Sequence, residues 1–291
     1  MKASMMQPDK KISMLLKGPP GFGKTIAACS LALDGPVYLA YFDKNQPVEL
    51  LNFYKKHRPE VLNNIDYDIY SSQNAHEYLN KLITFAERGT SYTAIITDSA
   101  TNLTSAAVNW SLGFRDRKDG AKKDPKNKDA MQMIPDFDEY KVETGLVTQA
   151  LDILTSLPCH NIWTAHPLPT LKMEGSGKSI TVSKVSSIVS YGSKVGAMIP
   201  GRFNEIYHFA KKVDWSGEGK NRFIVCTDMI GDDYAKTSFN LPREIDITDQ
   251  LFWEVMKPLY NAAVEEVMLG EVKGKDSIGE AKTVSAKMPW Q

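Results

Sequence analysis

The chain has 291 residues with a 42% apolar fraction, enough for one large α/β domain or two small ones around a packed core. Lys plus Arg and Asp plus Glu balance at 35 each, which excludes a uniformly basic nucleic-acid coat and leaves any basic site local. The sequence shows no long apolar span and no signal peptide with a cleavage pattern, so a soluble, cytoplasmic protein with no membrane partner is expected.

In chain order, the apolar run Ile12 to Leu16 predicts a buried strand, and the Ala- and Leu-rich stretch Ile26 to Leu33 predicts a helix. Between them, Gly18-Pro19-Pro20-Gly21-Phe22-Gly23-Lys24-Thr25 has the G-x-x-x-x-G-K-[ST] form of a phosphate-binding loop. Glycines let backbone N–H groups close around an anion. Lys24 can reach the outer phosphates of a nucleoside triphosphate, and the Thr25 hydroxyl suits a Mg2+ ion held against them. The helix aims its positive N-terminal end at the same place. The candidate nucleotide contacts are Gly18, Pro19, Pro20, Gly21, Phe22, Gly23, Lys24, Thr25 and Ile26, with Lys24 also catalytic.

The next strand, Val37 to Phe42, ends at Asp43, and the helix Pro47 to Lys56 carries Glu49. Either acid could orient or deprotonate an attacking water; Asp43 reads equally as a turn or N-cap acid, and Glu49 as a solvated helix residue. Strands Asp66 to Tyr70 and Ala94 to Thr97 flank the helix Ala75 to Arg88. The latter strand ends at Asp98, where a Walker B carboxylate would hold Mg2+ together with Thr25. An acid at a strand end is also a helix-cap signal, here with Ser99 and Thr101 following.

Helix Tyr140 to Ser156 leads to the strand Asn161 to Ala165, which ends at His166 before Pro167. A polar side chain there can face the γ-phosphate and pass the state of hydrolysis to the following loop, or be a satisfied structural histidine. His57, His76, His160 and His208 have no metal-ligand spacing. Cys29, Cys159 and Cys226, odd in number and set in apolar surroundings, predict buried free thiols. Two late runs, Glu205 to Ala210 and Arg222 to Thr227, predict an antiparallel hairpin at the sheet edge. A last helix is expected over Asp249 to Leu269 and a flexible tail over 270–291, so residues 1–269 form one expected α/β domain.

Two segments, about 113–139 and 167–202, read as mobile loops. Residues 113–129 carry seven basic and four acidic side chains, a net of +3, and residues 167–202 carry five and one, a net of +4. Such loops can follow a phosphate backbone, or be solvated surface. The candidate DNA contacts are Lys178, Lys184, Lys194 and Arg202, with Tyr191 as the aromatic placed to stack on a base.

The loop Gly18 to Thr25, the Ile95-Ile96-Thr97-Asp98-Ser99 strand end, Trp163-Thr164-Ala165-His166, Ile199 to Tyr207 and Asp233-Tyr234-Ala235-Lys236-Thr237 together resemble the phage nucleotide-binding P-loop ATPases with a RecA-like core. Some members of that group are compact single-strand-DNA recombinases. The resemblance spans roughly Lys11 to Pro242. It implies a RecA-like P-loop NTPase with a mostly parallel central sheet and a C-terminal antiparallel edge hairpin, with ATP and Mg2+ as cofactors. It also implies self-assembly into a filament or ring on single-stranded DNA, a single-strand-binding protein as a further partner, and the host cytoplasm as location. Lys236 matches the position from which RecA-like ATPases extend a lysine into the adjacent subunit's site. Two positions depart from the pattern. Asn45 stands where a catalytic Glu follows the Asp of the second strand, and Ser238 stands where a basic residue is typical. Other readings are an ATP-driven motor or loader acting on a protein or duplex DNA, a small-molecule kinase, or a nucleotide-gated binding protein with little turnover.

Overall fold

The computed structural model describes residues 11–43, 47–114, 121–124, 127–133, 135, 137–174, 181–213, 221–228 and 235–269, with the backbone course alone for 121–133, 169–174, 181–186 and 267–269. In chain order the strands are β1 (Ser13–Lys17), β2 (Val37–Tyr41), β3 (Ile65–Ile69), β4 (Ala94–Asp98), β5 (Ala121–Asp124) and β6 (Asn127–Met133). They continue as β7 (His160–Ala165), β8 (Pro167–Glu174), β9 (Thr181–Ile188), β10 (Glu205–Val213), β11 (Asn221–Cys226) and β12 (Glu244–Asp246). The α-helices are α1 (Lys24–Cys29), α2 (Val48–His57), α3 (Pro59–Leu62), α4 (Ala75–Arg88), α5 (Ala100–Leu112), α6 (Phe137–Ser156), α7 (Ser193–Met198) and α8 (Phe252–Leu269).

Eight strands form one sheet in the order β12-β11-β10-β1-β7-β4-β2-β3. From β10 to β3 the pairing is parallel, and β11 and β12 add antiparallel at one edge. The cause is visible in the central strands, which are apolar on both faces as parallel strands between helical layers must be. Leu15, Ile95 and Trp163 pack into one core with Tyr78 and Leu82 of α4, Leu103 of α5 and Leu151 of α6. Their neighbours Met14, Leu16, Ile96 and Ile162 face the other core, with Ala28 of α1, Tyr54 of α2 and Phe252 of α8. The period-2 alternation therefore fills both layers of an α/β sandwich.

The expected strands and helices fall within a few residues of those found. The edge hairpin is β10–β11, with β10 itself parallel to β1. The expected loops hold more structure than their composition suggests. Segment 113–139 contains the hairpin β5–β6 and the start of α6, and segment 167–202 contains the hairpin β8–β9 and α7. The physical reason in the second is the β-branched series Thr181, Val182, Val185 and Ile188, a strand composition that Gly, Ser and Lys around it conceal. Pro167 is tolerated as the first residue of β8. Helix α5, unpredicted, starts where Ser99 acts as N-cap and accepts a hydrogen bond from the Asn102 N–H at 3.3 Å. The three cysteines are free and buried. Among the described residues no helix is long and apolar enough to cross a membrane.

Helix α8 is clamped to the turn after α1. The Trp253 N–H donates to Ser30 Oγ at 3.0 Å, its Nε1–H donates to Asp34 Oδ2 at 2.6 Å, and Lys257 pairs with Asp34 Oδ1 at 2.6 Å. Trp253 is buried and packs against His160 and Tyr260. Trp253→Ala is expected to cost about 3–5 kcal/mol, since it opens a cavity and leaves Asp34 Oδ2 without its donor. A urea-unfolding midpoint close to wild type would contradict this packing.

Candidate nucleotide-binding site

The site forms where β1 stops. Its strand neighbours are β7 and β10, while the chain leaves β1 through α1 to reach β2 three strands away, which opens a crevice at the carboxyl ends of the strands. Gly18 passes so close to β10 that a Cβ would lie 2.8 Å from the Phe209 carbonyl oxygen, so only glycine fits. Gly21 and Gly23 turn the loop with φ of 73° and 82°, conformations that disfavour side chains. Gly23 then caps α1, and its carbonyl accepts from Ala27 N–H at 2.8 Å.

Lys24 is buried, and its ammonium donates to the carbonyls of Gly18 (2.8 Å) and Pro19 (2.9 Å). Gly18 and Pro19 thus hold the lysine, whereas Pro20 to Ile26 line the cleft itself. Burial lowers the Lys24 pKa to about 8, against the opposing attraction of Asp98 and Asp43. A phosphate arriving at the loop supplies the anion this ammonium lacks.

Asp98, at the end of β4, is the shared point of the site. Its Oδ2 accepts from Thr25 Oγ1 at 2.7 Å and its Oδ1 accepts from Thr164 Oγ1 of β7. Burial pushes its carboxyl above the usual range, with the two threonine hydrogen bonds opposing that shift. A buried carboxylate beside a threonine hydroxyl at a phosphate loop fits a hard divalent cation with oxygen ligands, so Thr25 and Asp98 would hold Mg2+. Asp98 is not itself the cap that a strand-end acid can signal. Asp98 faces the loop, and Ser99 caps α5.

His166 also lines the cleft, with Nδ1 3.3 Å from the Gly18 carbonyl and its backbone N–H donating to Thr101 Oγ1 at 3.2 Å. Burial first, then the nearby Lys24 charge, lowers its pKa, so the ring is neutral at pH 7 and donates from Nδ1. Asp43 and Glu49 are exposed on the cleft wall. Asp43 accepts from Asn102 Nδ2 and lies 3.5 Å from the Tyr41 hydroxyl, whereas Asn45 lies outside the described residues. Asn102 carries no signal in the sequence, Thr101 stands there only beside a cap signal, and Thr164 only within the Trp163 to His166 motif.

The cleft measures about 1960 Å³, more than a nucleotide alone needs. Its lining includes Ile26, Phe53 and His57 of α2 and Thr248–Phe252, and also Asn102, Ser105 and Asn109 of α5 with Tyr70–Ser72. Lys211 braces the loop, its ammonium 4.8 Å from the Phe22 ring centroid and 5.1 Å from that of Phe223. Other expected site residues lie elsewhere. Lys236 is bridged through its backbone to Ile206 and does not line the cleft. Lys194 and Tyr191 border a separate groove, and Arg202 pairs with Asp152 of α6. Lys178 and the side chain of Lys184 lie outside the described residues.

This combination of a parallel sheet reversed about β1, a glycine loop closed on a buried lysine, and an acid at the end of β4 defines a P-loop ATPase. The family described as the AAA domain matches residues 10–228, and the chain belongs to it. Among solved structures, a KaiC-like protein from the hyperthermophilic archaeon Pyrococcus horikoshii is similar at 11% identity and a TM-score of 0.40, covering 81% of this chain and 88% of that one. No curated protein sequence matches the chain.

Two predictions follow the charges. Because Lys24 sits near pKa 8 and a bound triphosphate favours its charged form, ATP binding at pH 8.5 is expected to take up protons, and Lys24→Ala to abolish both binding and uptake. Calorimetry in buffers of different ionisation enthalpy measures this; identical apparent enthalpies in the wild type would contradict it. For Asp98, a folded pKa above the unfolded value means that stability is lost as pH rises through the carboxylate range. Asp98→Asn is therefore expected to raise the nucleotide-free melting temperature more at pH 7.5 than at pH 4.5, while Mg2+-dependent turnover falls about 100-fold or more. Equal melting shifts at both pH values would contradict the charge argument.

Proposed function

We propose that the protein is a Mg2+-dependent ATPase that assembles on single-stranded DNA, in recombination or annealing of the phage type, and uses ATP to switch its DNA-facing hairpins. The observation that carries the reading is the root of β8–β9. Its entry residue, His166, contacts Gly18 of the phosphate loop, and its exit residue, Val189, donates from N–H to the His166 carbonyl at 2.8 Å. A ligand that displaces the loop carbonyls acts directly on the base of a hairpin in a segment of net charge +4.

In this reading, Lys24 exchanges the Gly18 and Pro19 carbonyls for the outer phosphates, and Thr25 and Asp98 fix the metal side of the site. Mg2+ there would neutralise charge developing on the phosphoryl oxygens. Asp43, held by Asn102, orients the attacking water, with Glu49 as the alternative acid on the same wall. Lys236 lies away from its own cleft, which supports its service in a neighbouring copy's site. Lys178, Lys184, Lys194 and Tyr191 contact DNA, joined by Arg202 once it leaves Asp152.

The test is ATP turnover with and without single-stranded DNA. Stimulation by single strands over duplex is expected. A mixture of Lys24→Ala and Lys236→Ala should be more active than either alone, because some interfaces join two intact halves. Stimulation by duplex or protein alone would favour a motor or loader, and no turnover under any condition would favour a nucleotide-gated binder. A Lys236→Ala protein with wild-type turnover would exclude the shared site.

A further inference from the structure

A second groove, of about 650 Å³, lies between the start of α6 and the segment leading into α7. Three of its features bear on what it could hold. The first is aromatic exposure: Phe137 is 68% exposed, Tyr191 42% and Tyr140 36%, and the two tyrosine rings stand 6.2 Å apart at 44°, a wedge open to solvent. The second is Gly145, inside the 20-residue helix α6. A Cβ there would meet nothing within 4 Å, so packing does not require glycine, although it costs the helix about 1 kcal/mol relative to alanine. What glycine does provide is a notch in the groove. The third is Glu143, fully buried, whose Oε1 accepts from Gly192 N–H at 3.0 Å while Oε2 has no partner among the described residues. That oxygen has no hydrogen bond among the described residues, and the Gly192 and Tyr191 N–H groups lower the carboxyl pKa against a larger rise from burial.

Both basic segments end here. Hairpin β5–β6 precedes Phe137, and β9 leads into Tyr191, while Lys141 and Lys194 border the groove. Lys141 is drawn onto the Phe137 ring, 4.4 Å from its centroid, and pairs with Asp138 at 3.2 Å. Aromatic faces framed by cations suit a base with its phosphate. A cationic peptide side chain would meet the same lysines as repulsion.

We propose that this groove takes one unstacked base of single-stranded nucleic acid, stacked on Tyr140 and Tyr191 over the Gly145 notch, with the backbone phosphate toward Lys194. The inference rests on the single-strand reading above and locates its base contact. Glu143 is a positioning residue that holds the Tyr191 segment through Gly192.

The test uses the full chain and a labelled oligonucleotide, with Tyr140→Ala and Gly145→Leu. The leucine favours the helix and fills the notch, so a melting temperature at or above wild type is expected, with no loss of fold to confuse the result. Each variant should bind the oligonucleotide about 5- to 100-fold more weakly, the range of one lost base stack, with an unchanged salt slope and unchanged DNA-independent ATP turnover. On an abasic oligonucleotide the difference from wild type should disappear. Wild-type affinity in both variants, or an equal loss on the abasic strand, overturns the groove while leaving single-strand binding intact. Failure of the wild type to bind any single strand overturns both.

Discussion

Asp98 cannot be moved without disturbing three elements at once. It ends β4, accepts from Thr25 on the helix after the phosphate loop, and accepts from Thr164 on the adjacent strand β7. Parallel pairing brings these atoms together, because β1, β7 and β4 all present their carboxyl ends on one edge. A carboxylate buried there is costly unless satisfied, and two hydroxyls satisfy only part of it. The site therefore holds the acid that would bind a metal in place before any ligand arrives.

Lys24 is the matching cation, and the loop's own carbonyls hold it in readiness. Those carbonyls belong to Gly18 and Pro19, and Gly18 is the same residue that His166 touches. Nucleotide occupancy and the root of the β8–β9 hairpin thus share one peptide. Beyond that hairpin the chain is tied down twice more, by Tyr191 N–H to Thr104 Oγ1 of α5 at 3.3 Å and by Gly192 N–H to Glu143 of α6. Helix α5 starts directly after Asp98, so it spans from the metal-side acid to the groove.

Much of this was legible in the sequence, for physical reasons. The phosphate loop is local, its spacing dictated by one anion, and the central strands are apolar runs bounded by turn residues, so both were readable without tertiary information. Helix α5 was not, because Thr101, Thr104 and Ser105 resemble a polar linker until Ser99 is seen to cap it. The hairpin β8–β9 was hidden by its Gly and Lys content, since strand propensity depends on pairing. Thr164, Asn102 and Glu143 act through contacts 49 to 66 residues away in sequence, and no local pattern announces them. Arg202, chosen for its charge, is held by Asp152 across α6, a partner that charge counting cannot reveal.

The central claim is that the nucleotide loop and the hairpin root respond as one unit through Gly18 and His166. Amide hydrogen exchange of the intact protein, with and without a slowly hydrolysed ATP analogue and Mg2+, tests it most directly. The account predicts that the amides of Gly18 and of residues 21–27 and those of Val189, Tyr191 and Gly192 slow together on binding. Slowing confined to the phosphate loop, with 189–192 unchanged, would contradict it.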